Sequence, residues 1–191
     1  MYRVLKNGVD RIVALLLLLV LSPFFVLLLI ATGLFKQQRL GLNARAFTVY
    51  KFKTMRNQTV PPQTDMQRLT PLGIWLRKWS IDEWPQLINV LKGEMSLVGP
   101  RPLPIQYDAL IKGPYRARFM VKPGITGRVQ VSGRNLLSWR QKFEYDTQYV
   151  ENHGFLNDLK ILLLTFGVVL SARGVDASEG KTMEEFKGFD R

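Results

Sequence analysis

Ser80-Ile81-Asp82-Glu83-Trp84-Pro85-Gln86 places two adjacent carboxylates in a chain whose formal net charge is +12. Arg77 and Lys78 stand just before them, and Arg101 follows between Pro100 and Pro102. Acid in a basic field suits the handling of a phosphate with a divalent cation. Asp82 and Glu83 hold the metal or attack phosphorus, and the arginines hold phosphate oxygens. The same stretch also reads as plain structure. Ser80-x-x-Glu83 fits a capping box ahead of Trp84, Leu87, Ile88 and Leu91, which recur at helical spacing. Pro85 sits better if Asp82 is the cap, because it then falls in the first turn, where backbone donors are orphaned anyway. The two readings are compatible, since a helix N-terminus favours anions.

The elements around this stretch bring further cations. A strand is expected over 46–53, which sets Lys51 and Lys53 on one face, toward an anion or toward water. Val98-Gly99-Pro100-Arg101-Pro102 cannot be regular structure, and a rigidly presented arginine suits phosphate recognition as well as a solvated loop. Ser132-Gly133-Arg134-Asn135 is a loop with an arginine, its glycine allowing close approach to a ligand or simply a turn. Thr70-Pro71 starts a helix with Leu72, Trp75, Leu76 and Trp79 on its apolar face, and Lys92-Gly93 ends the next one. The polar stretch 55–68 reads as an exposed loop, 104–112 as a helix, 122–127 as a turn and 128–131 as a short strand. Ser138 caps a helix, and 155–170 is an apolar helix too short to span comfortably, fitted to the membrane surface or the core.

The run 12–34 is almost continuously apolar and reads first as a transmembrane helix. No small-residue cleavage site follows it, which argues against a signal peptide. Ser22-Pro23 falls near its middle, and both flanks are basic: Arg3, Lys6 and Arg11 before, Lys36 and Arg39 after. Matching flanks favour no direction of crossing. A re-entrant hairpin that breaks at Ser22-Pro23 meets both facts. Its arms of about eleven residues are roughly 16 Å long, half the hydrocarbon core. The Ser22 hydroxyl is then available to a carbonyl that the break sets free.

Composition narrows the chemistry. A chain of 191 residues suits one domain with a real core. With no cysteine there is neither disulfide nor thiol nucleophile, and the lone His153, expected at a loop or helix end, cannot make a zinc site. Oxygen ligands remain, hence a hard metal such as Mg2+, with Mn2+ as its substitute. The excess of 27 Lys and Arg over 15 Asp and Glu points to nucleic acid, anionic lipid or a phosphorylated substrate.

At this point the motifs are recognisable in order. The Ser22-Pro23 break, Gln38-Arg39-Leu40-Gly41-Leu42 and Tyr50-Lys51-Phe52-Lys53-Thr54-Met55 are followed by the stretch from Ser80 to Gln86. Then come Asn89-Val90-Leu91-Lys92-Gly93-Glu94-Met95-Ser96, Val98-Gly99-Pro100-Arg101-Pro102, Lys122-Pro123-Gly124-Ile125-Thr126-Gly127 and Gly133-Arg134-Asn135. Over nearly its whole length the chain resembles the bacterial sugar transferases, specifically the small monotopic phosphoglycosyl transferases. The resemblance implies transfer of a sugar 1-phosphate from a UDP-sugar to undecaprenyl phosphate, or another polyprenyl phosphate, with release of UMP. It implies Asp82 as the covalent nucleophile and Glu83 as its partner at the metal or as a base. Arg77 and Arg101 match arginines at the phosphates, and Lys51, Lys53 and Arg134 are their candidate companions. It also implies a monotopic protein of the cytoplasmic (inner) membrane with its catalytic domain facing the cytoplasm. Two departures stand out. Thr32-Gly33-Leu34-Phe35-Lys36 is shorter than the family's Gly-Pro-Val-type strand, and Arg128 stands where relatives often carry tryptophan. The end of the chain, Glu179-Gly180-Lys181-Thr182 onward, looks most like the branch that handles N-acetylated, amino-modified sugars.

The expected architecture is therefore α/β, mostly helical with few short strands, and membrane-associated. It comprises the hairpin (1–36), a catalytic domain with membrane-surface helices (37–173) and a loosely held polar tail (174–191). Expected partners are the bilayer, the UDP-sugar and the polyprenyl phosphate, with downstream glycosyltransferases beyond them. The competing classes are a membrane-tethered nucleic-acid-binding protein and a silent scaffold. No recognition-helix or stacking-platform pattern supports the first, so nucleic acid is not an expected partner. The second needs Asp82-Glu83 to be only a cap.

Overall fold

The apolar N-terminal stretch forms one long helix, α1 (Tyr2–Thr32), in the computed structural model, which describes residues 2–171 and 185–189. Tyr2, Lys6, Asp10, Ala14, Leu18, Leu21 and Phe25 follow at steps of three and four, which places them on one face. That face is laid against the rest of the molecule. Tyr2 Oη donates to Asp158 at 2.6 Å, Asp10 accepts from Ser96 Oγ at 2.5 Å, and Ala14 is fully buried. Farther along, the Phe25 ring lies 5.0 Å from that of Phe52. The opposite face, including Leu16, Leu19, Val20, Leu27 and Ile30, is apolar and exposed.

Two arms meeting at Ser22-Pro23 were expected; the structure carries helical backbone through this point as one element with Pro23 inside it. The proline lacks one N–H, and the carbonyl thereby orphaned, that of Leu19, accepts a hydrogen bond from Ser22 Oγ at 2.8 Å. With the carbonyl satisfied, nothing forces the helix to end. Both halves of α1 nevertheless rest on the same body.

Strands β1 (Leu34–Leu40) and β2 (Ala46–Phe52) follow as an antiparallel hairpin, in register from Leu34 opposite Phe52 to Leu40 opposite Ala46. The loop beyond β2 contains one turn of helix, α2 (Asp65–Arg68). Helix α3 (Pro71–Lys78) is capped by Thr70, whose Oγ1 accepts from Gly73 N at 2.9 Å. Of its expected apolar face only Leu76 is buried, and Trp75 is half exposed. Helix α4 (Gln86–Lys92) ends at Gly93, whose φ of 80° is the left-handed stop that glycine supplies. Strand β3 (Ser96–Val98) pairs in parallel with β4 (Gly124–Thr126), where a plain turn was expected. Residues 104–112 fold as a 3₁₀ turn over Ile105–Leu110, and a second covers Gly113–Met120.

The strand expected over 128–131 is instead a helix, α5 (Arg128–Ser132). Val131 N donates to Gly127 O at 3.2 Å and Gly133 N to Val129 O, the local bonds of a helical turn, and Val129 and Gln130 are buried. Helix α6 (Trp139–Glu151) opens with the reciprocal capping box of Ser138 and Gln141, and His153 lies in the short link that follows it. Helix α7 (Phe155–Ser171) buries Asp158 and Ile161 while Phe155, Leu156, Leu163, Phe166 and Leu170 stay exposed. Exposed apolar faces on α1 and α7 are what a membrane surface would cover.

The tail was expected to be loosely held. Residues 172–184 lie outside the described part, but Phe186 is buried against Tyr107, Trp139 and Phe143. Two aromatic residues, Phe186 and Phe189, outweigh the polar look of that segment.

Candidate active site

Asp82 and Glu83 lie on a 3₁₀ turn, Ile81–Glu83, and neither Ser80 nor Asp82 caps a helix. Ser80 adopts the left-handed conformation (φ 56°), a strained state for serine that turns the chain sharply after α3. Helix α4 starts only after Pro85. The capping account of the carboxylates is thereby removed.

The elements that hold this turn are tied together by side chains. Asn89, fully buried on α4, donates to Thr48 O at 2.7 Å and accepts from Tyr50 N at 3.3 Å, so β2 is fixed to the helix that follows the acidic pair. The start of α3 is pressed on Thr54, because Thr70 N donates to Thr54 O at 3.1 Å. A Cβ on Gly73 would lie 2.1 Å from that same carbonyl oxygen, so only glycine permits the approach. Arg77 Nε then donates to Thr54 Oγ1 at 3.0 Å.

The two acids are shifted in opposite directions. Lys51 Nζ and Arg101 NH2 converge on one oxygen of Glu83, at 2.6 and 2.7 Å, and Arg101 NH1 reaches the other at 3.4 Å. Burial pushes the Glu83 carboxyl up, but Arg101 and Lys51 together outweigh it and hold the group well below the usual range. Asp82, 8% exposed, has no hydrogen bond or ion pair of its side chain among the described residues. Burial pushes its carboxyl up to about 6, assisted by the charge of Glu83 and opposed by Lys51, Arg77 and Arg101.

One cavity of about 830 Å³ is lined by every candidate named from sequence: Asp82, Glu83, Arg77, Arg101, Lys51, Lys53 and Arg134. Lys53 sits at its edge, with Nζ on Asn57 Oδ1 at 2.7 Å, and Arg134 donates from Nε to Gln130 O at 3.4 Å. Ser22 and Pro23 belong to α1 and are not part of it.

Sequence reasoning missed three residues. Arg39 on β1 lines the cavity beside Arg101, its guanidinium lowered to about 10 by burial and by that neighbouring charge. It appeared in a family motif without a role. Arg118 donates to Arg101 O at 2.6 Å and pairs with Asp146 at 2.9 Å, both nearly inaccessible to water. Burial raises the Asp146 carboxyl to about 6, against the pull of Arg118. No local signal marks this pair, because its members lie on separate elements. Arg128, the departure from the family pattern, stacks at 5.6 Å on Tyr145 and is not among the residues lining the cavity.

The donor set has the oxygen chemistry of a hard cation. Among the described residues no group of three or more His, Cys, Asp or Glu gathers, which leaves the acidic pair. Magnesium needs only one or two carboxylates when substrate phosphates complete its shell. Asp82 is free for that role, while the oxygens of Glu83 are shared with two cations.

A family model described as bacterial sugar transferase matches residues 1–172. Among curated proteins, the chain is 50% identical over 157 residues to an uncharacterized sugar transferase, EpsL, of Bacillus subtilis (strain 168), covering 81% of this chain and 78% of that one. It is 36% identical over 203 residues to the exopolysaccharide production protein ExoY of Sinorhizobium fredii, covering 88% and 87%. It is 38% identical over 184 residues to the UDP-glucose:undecaprenyl-phosphate glucose-1-phosphate transferase of Escherichia coli (strain K12), covering 85% of this chain but 39% of that longer protein.

Proposed function

Since this chain belongs to the bacterial sugar transferase family, we propose that it moves a sugar 1-phosphate from a UDP-sugar to undecaprenyl phosphate through a covalent intermediate on Asp82. The observation that carries this reading is the asymmetry of the acidic pair. A buried carboxylate with no partner faces a cavity of cations, beside a second carboxylate that two cations hold in place.

In the first half-reaction an Asp82 oxygen attacks the sugar-linked phosphorus. The bond from that phosphorus to the bridging oxygen breaks, and UMP leaves with its electron pair. In the second, an oxygen of the lipid phosphate attacks the same phosphorus and Asp82 is released as carboxylate. A carboxylate is a weak nucleophile toward a charged diphosphate. A pKa near 6 leaves Asp82 mostly ionised at neutral pH yet more basic than a solvated aspartate. Arg77, Arg101, Arg39 and Arg134 supply positive charge around the diphosphate. Glu83 sets the positions of Lys51 and Arg101, and Arg118 anchors the Arg101 backbone from behind. Asp82, with Glu83 beside it, is the place for Mg2+ or Mn2+, which when bound would offset charge on the phosphates.

The exposed apolar faces of α1 and α7 suit a body seated on the inner leaflet, where the lipid phosphate meets the cavity at headgroup depth. Because both halves of α1 pack on the catalytic body, we place both of its ends on the cytoplasmic side, where UDP-sugars are made. The test is incubation of membrane-reconstituted protein with polyprenyl phosphate and a panel of UDP-sugars, scoring UMP. Release with one donor, lost in EDTA and restored by Mg2+ or Mn2+ but insensitive to selective zinc chelation, supports the reading. Full activity in excess EDTA removes the metal from it, and no UMP with any donor removes the reaction.

A further inference from the structure

Val98 O, three residues before Arg101, lies between two hydroxyls. Ser96 Oγ donates to it at 2.9 Å and Tyr149 Oη at 3.0 Å. Each hydroxyl has one proton, and a buried carboxylate is its other neighbour. Ser96 also reaches Asp10 of α1 at 2.5 Å, and Tyr149 reaches Asp158 of α7 at 2.8 Å. Lys6 Nζ sits between the two carboxylates, 3.2 Å from Asp10 and 2.6 Å from Asp158. Its charge offsets the pull of the carboxylates on the two hydroxyl protons, which keeps Val98 O supplied with donors. The side chains of Lys6, Asp10 and Asp158 are only 9%, 9% and 7% exposed, so desolvation cancels much of their attraction. What such a cluster supplies is direction rather than net stability.

The backbone between Val98 and Arg101 is stiff. Gly99 N donates to Thr126 O at 2.9 Å, and Pro100 O accepts from Gly124 N at 3.0 Å. A Cβ on Gly99 would lie 2.4 Å from Lys122 O, so the chain has no room to shift sideways there. Pro100 and Pro102 fix φ on either side of the arginine. A displacement at Val98 is therefore passed on to Arg101 instead of being absorbed on the way.

Taking the reaction proposed above as given, we infer that Ser96 and Tyr149 are positioning residues for Arg101. They are held in turn by Asp10 and Asp158, so the seating of α1 and α7 sets the aim of this arginine at Glu83 and at the donor phosphates. A merely structural network would staple α1 to the body without acting through Arg101.

The experiment uses the full chain in lipid nanodiscs, with Tyr149→Phe, Ser96→Ala and Asp10→Asn, each alone and together with Arg101→Ala. Misalignment of a binding group is expected to cost each single variant about tenfold in kcat/KM for the UDP-sugar. With alanine already at position 101, the same substitutions should change kcat/KM by less than about twofold, because residues acting through one group are not additive. Equal fold-losses in both backgrounds, or parent kinetics in all three single variants, overturn the inference. Ser96 and Tyr149 approach the carbonyl from β3 and α6, so a variant that fails to fold leaves the other to be measured. The same cycle, read as affinity for UMP by calorimetry, needs no turnover. A parent that releases no UMP sinks the proposed reaction, while loss of affinity confined to the Arg101 background still supports the positioning. Additive losses of affinity, or a parent that binds no UMP, overturn it.

Discussion

Asp82 and Glu83 are neighbours on one 3₁₀ turn, and their affinities for a proton are shifted in opposite directions. Burial lifts Asp82 to about 6, while Arg101 and Lys51 overcome the burial of Glu83 and keep it ionised. The difference arises from where the cations point. Both reach Glu83 at under 3 Å, and neither makes an ion pair with Asp82. Such a split between adjacent titratable groups separates their roles.

The first half-reaction should follow the ionisation of Asp82. Its rate, read as single-turnover UMP formation without lipid acceptor, is expected to rise about tenfold per pH unit below 6 and to level above about 7. Omitting the acceptor removes the titration of the lipid phosphate from the profile. A rate independent of pH down to 5 would take the nucleophile's role from Asp82.

Asp82→Asn should abolish turnover, by on the order of 10⁴-fold, while making the fold more stable at neutral pH. A carboxyl raised in the folded state binds its proton more tightly there than in the unfolded chain. Its contribution is therefore full below the unfolded value near 4 and is lost as pH rises through 6. Replacing it should raise the melting temperature at pH 7.5 and have little effect at pH 4. The gain is of order 1–3 kcal/mol. Equal melting at pH 7.5 would mean that Asp82 is not held in an unfavourable place.

Arg101→Lys should not restore what Arg101→Ala loses. Arg101 spans both oxygens of Glu83, at 2.7 and 3.4 Å, and a lysine offers a single point of charge. We expect both variants to lower kcat/KM by roughly 10- to 100-fold, about 1.4–2.8 kcal/mol of transition-state stabilisation. Melting should shift little, because the side chain is 46% exposed. Wild-type kinetics in Arg101→Lys would show that charge alone suffices there.

Both ends of α1 should be found on one side of the membrane. The chain has no native cysteine, so Arg3→Cys gives a unique reporter on an exposed position. An impermeant thiol reagent is expected to label it only after the cells are opened. The same result is expected for Pro23→Ala, since Lys6 pairs with Asp158 at 2.6 Å and Asp10 with Ser96 at 2.5 Å, independently of the proline. Labelling of intact cells would mean that α1 spans.

What could be read along the chain was whatever depends on residues a few positions apart. The caps at Thr70 and Ser138, the stop at Gly93, the strand near Tyr50 and the apolar run of α1 each follow from local backbone chemistry. The candidate residues were also named from their types and motifs, and the fold gathers them in one cavity. Tertiary structure alone decided which acid is free. Lys51 and Arg101 lie 32 and 18 positions from Glu83, and only the packing of β2 and of the Arg101 loop around the 3₁₀ turn aims them at one carboxylate. Contacts at such separation also drew Phe186 onto Tyr107, 79 positions away, and joined Tyr2 to Asp158 across 156. Local periodicity carries no record of these pairings, because their free energy comes from burial and charge among residues that meet only once the chain has folded.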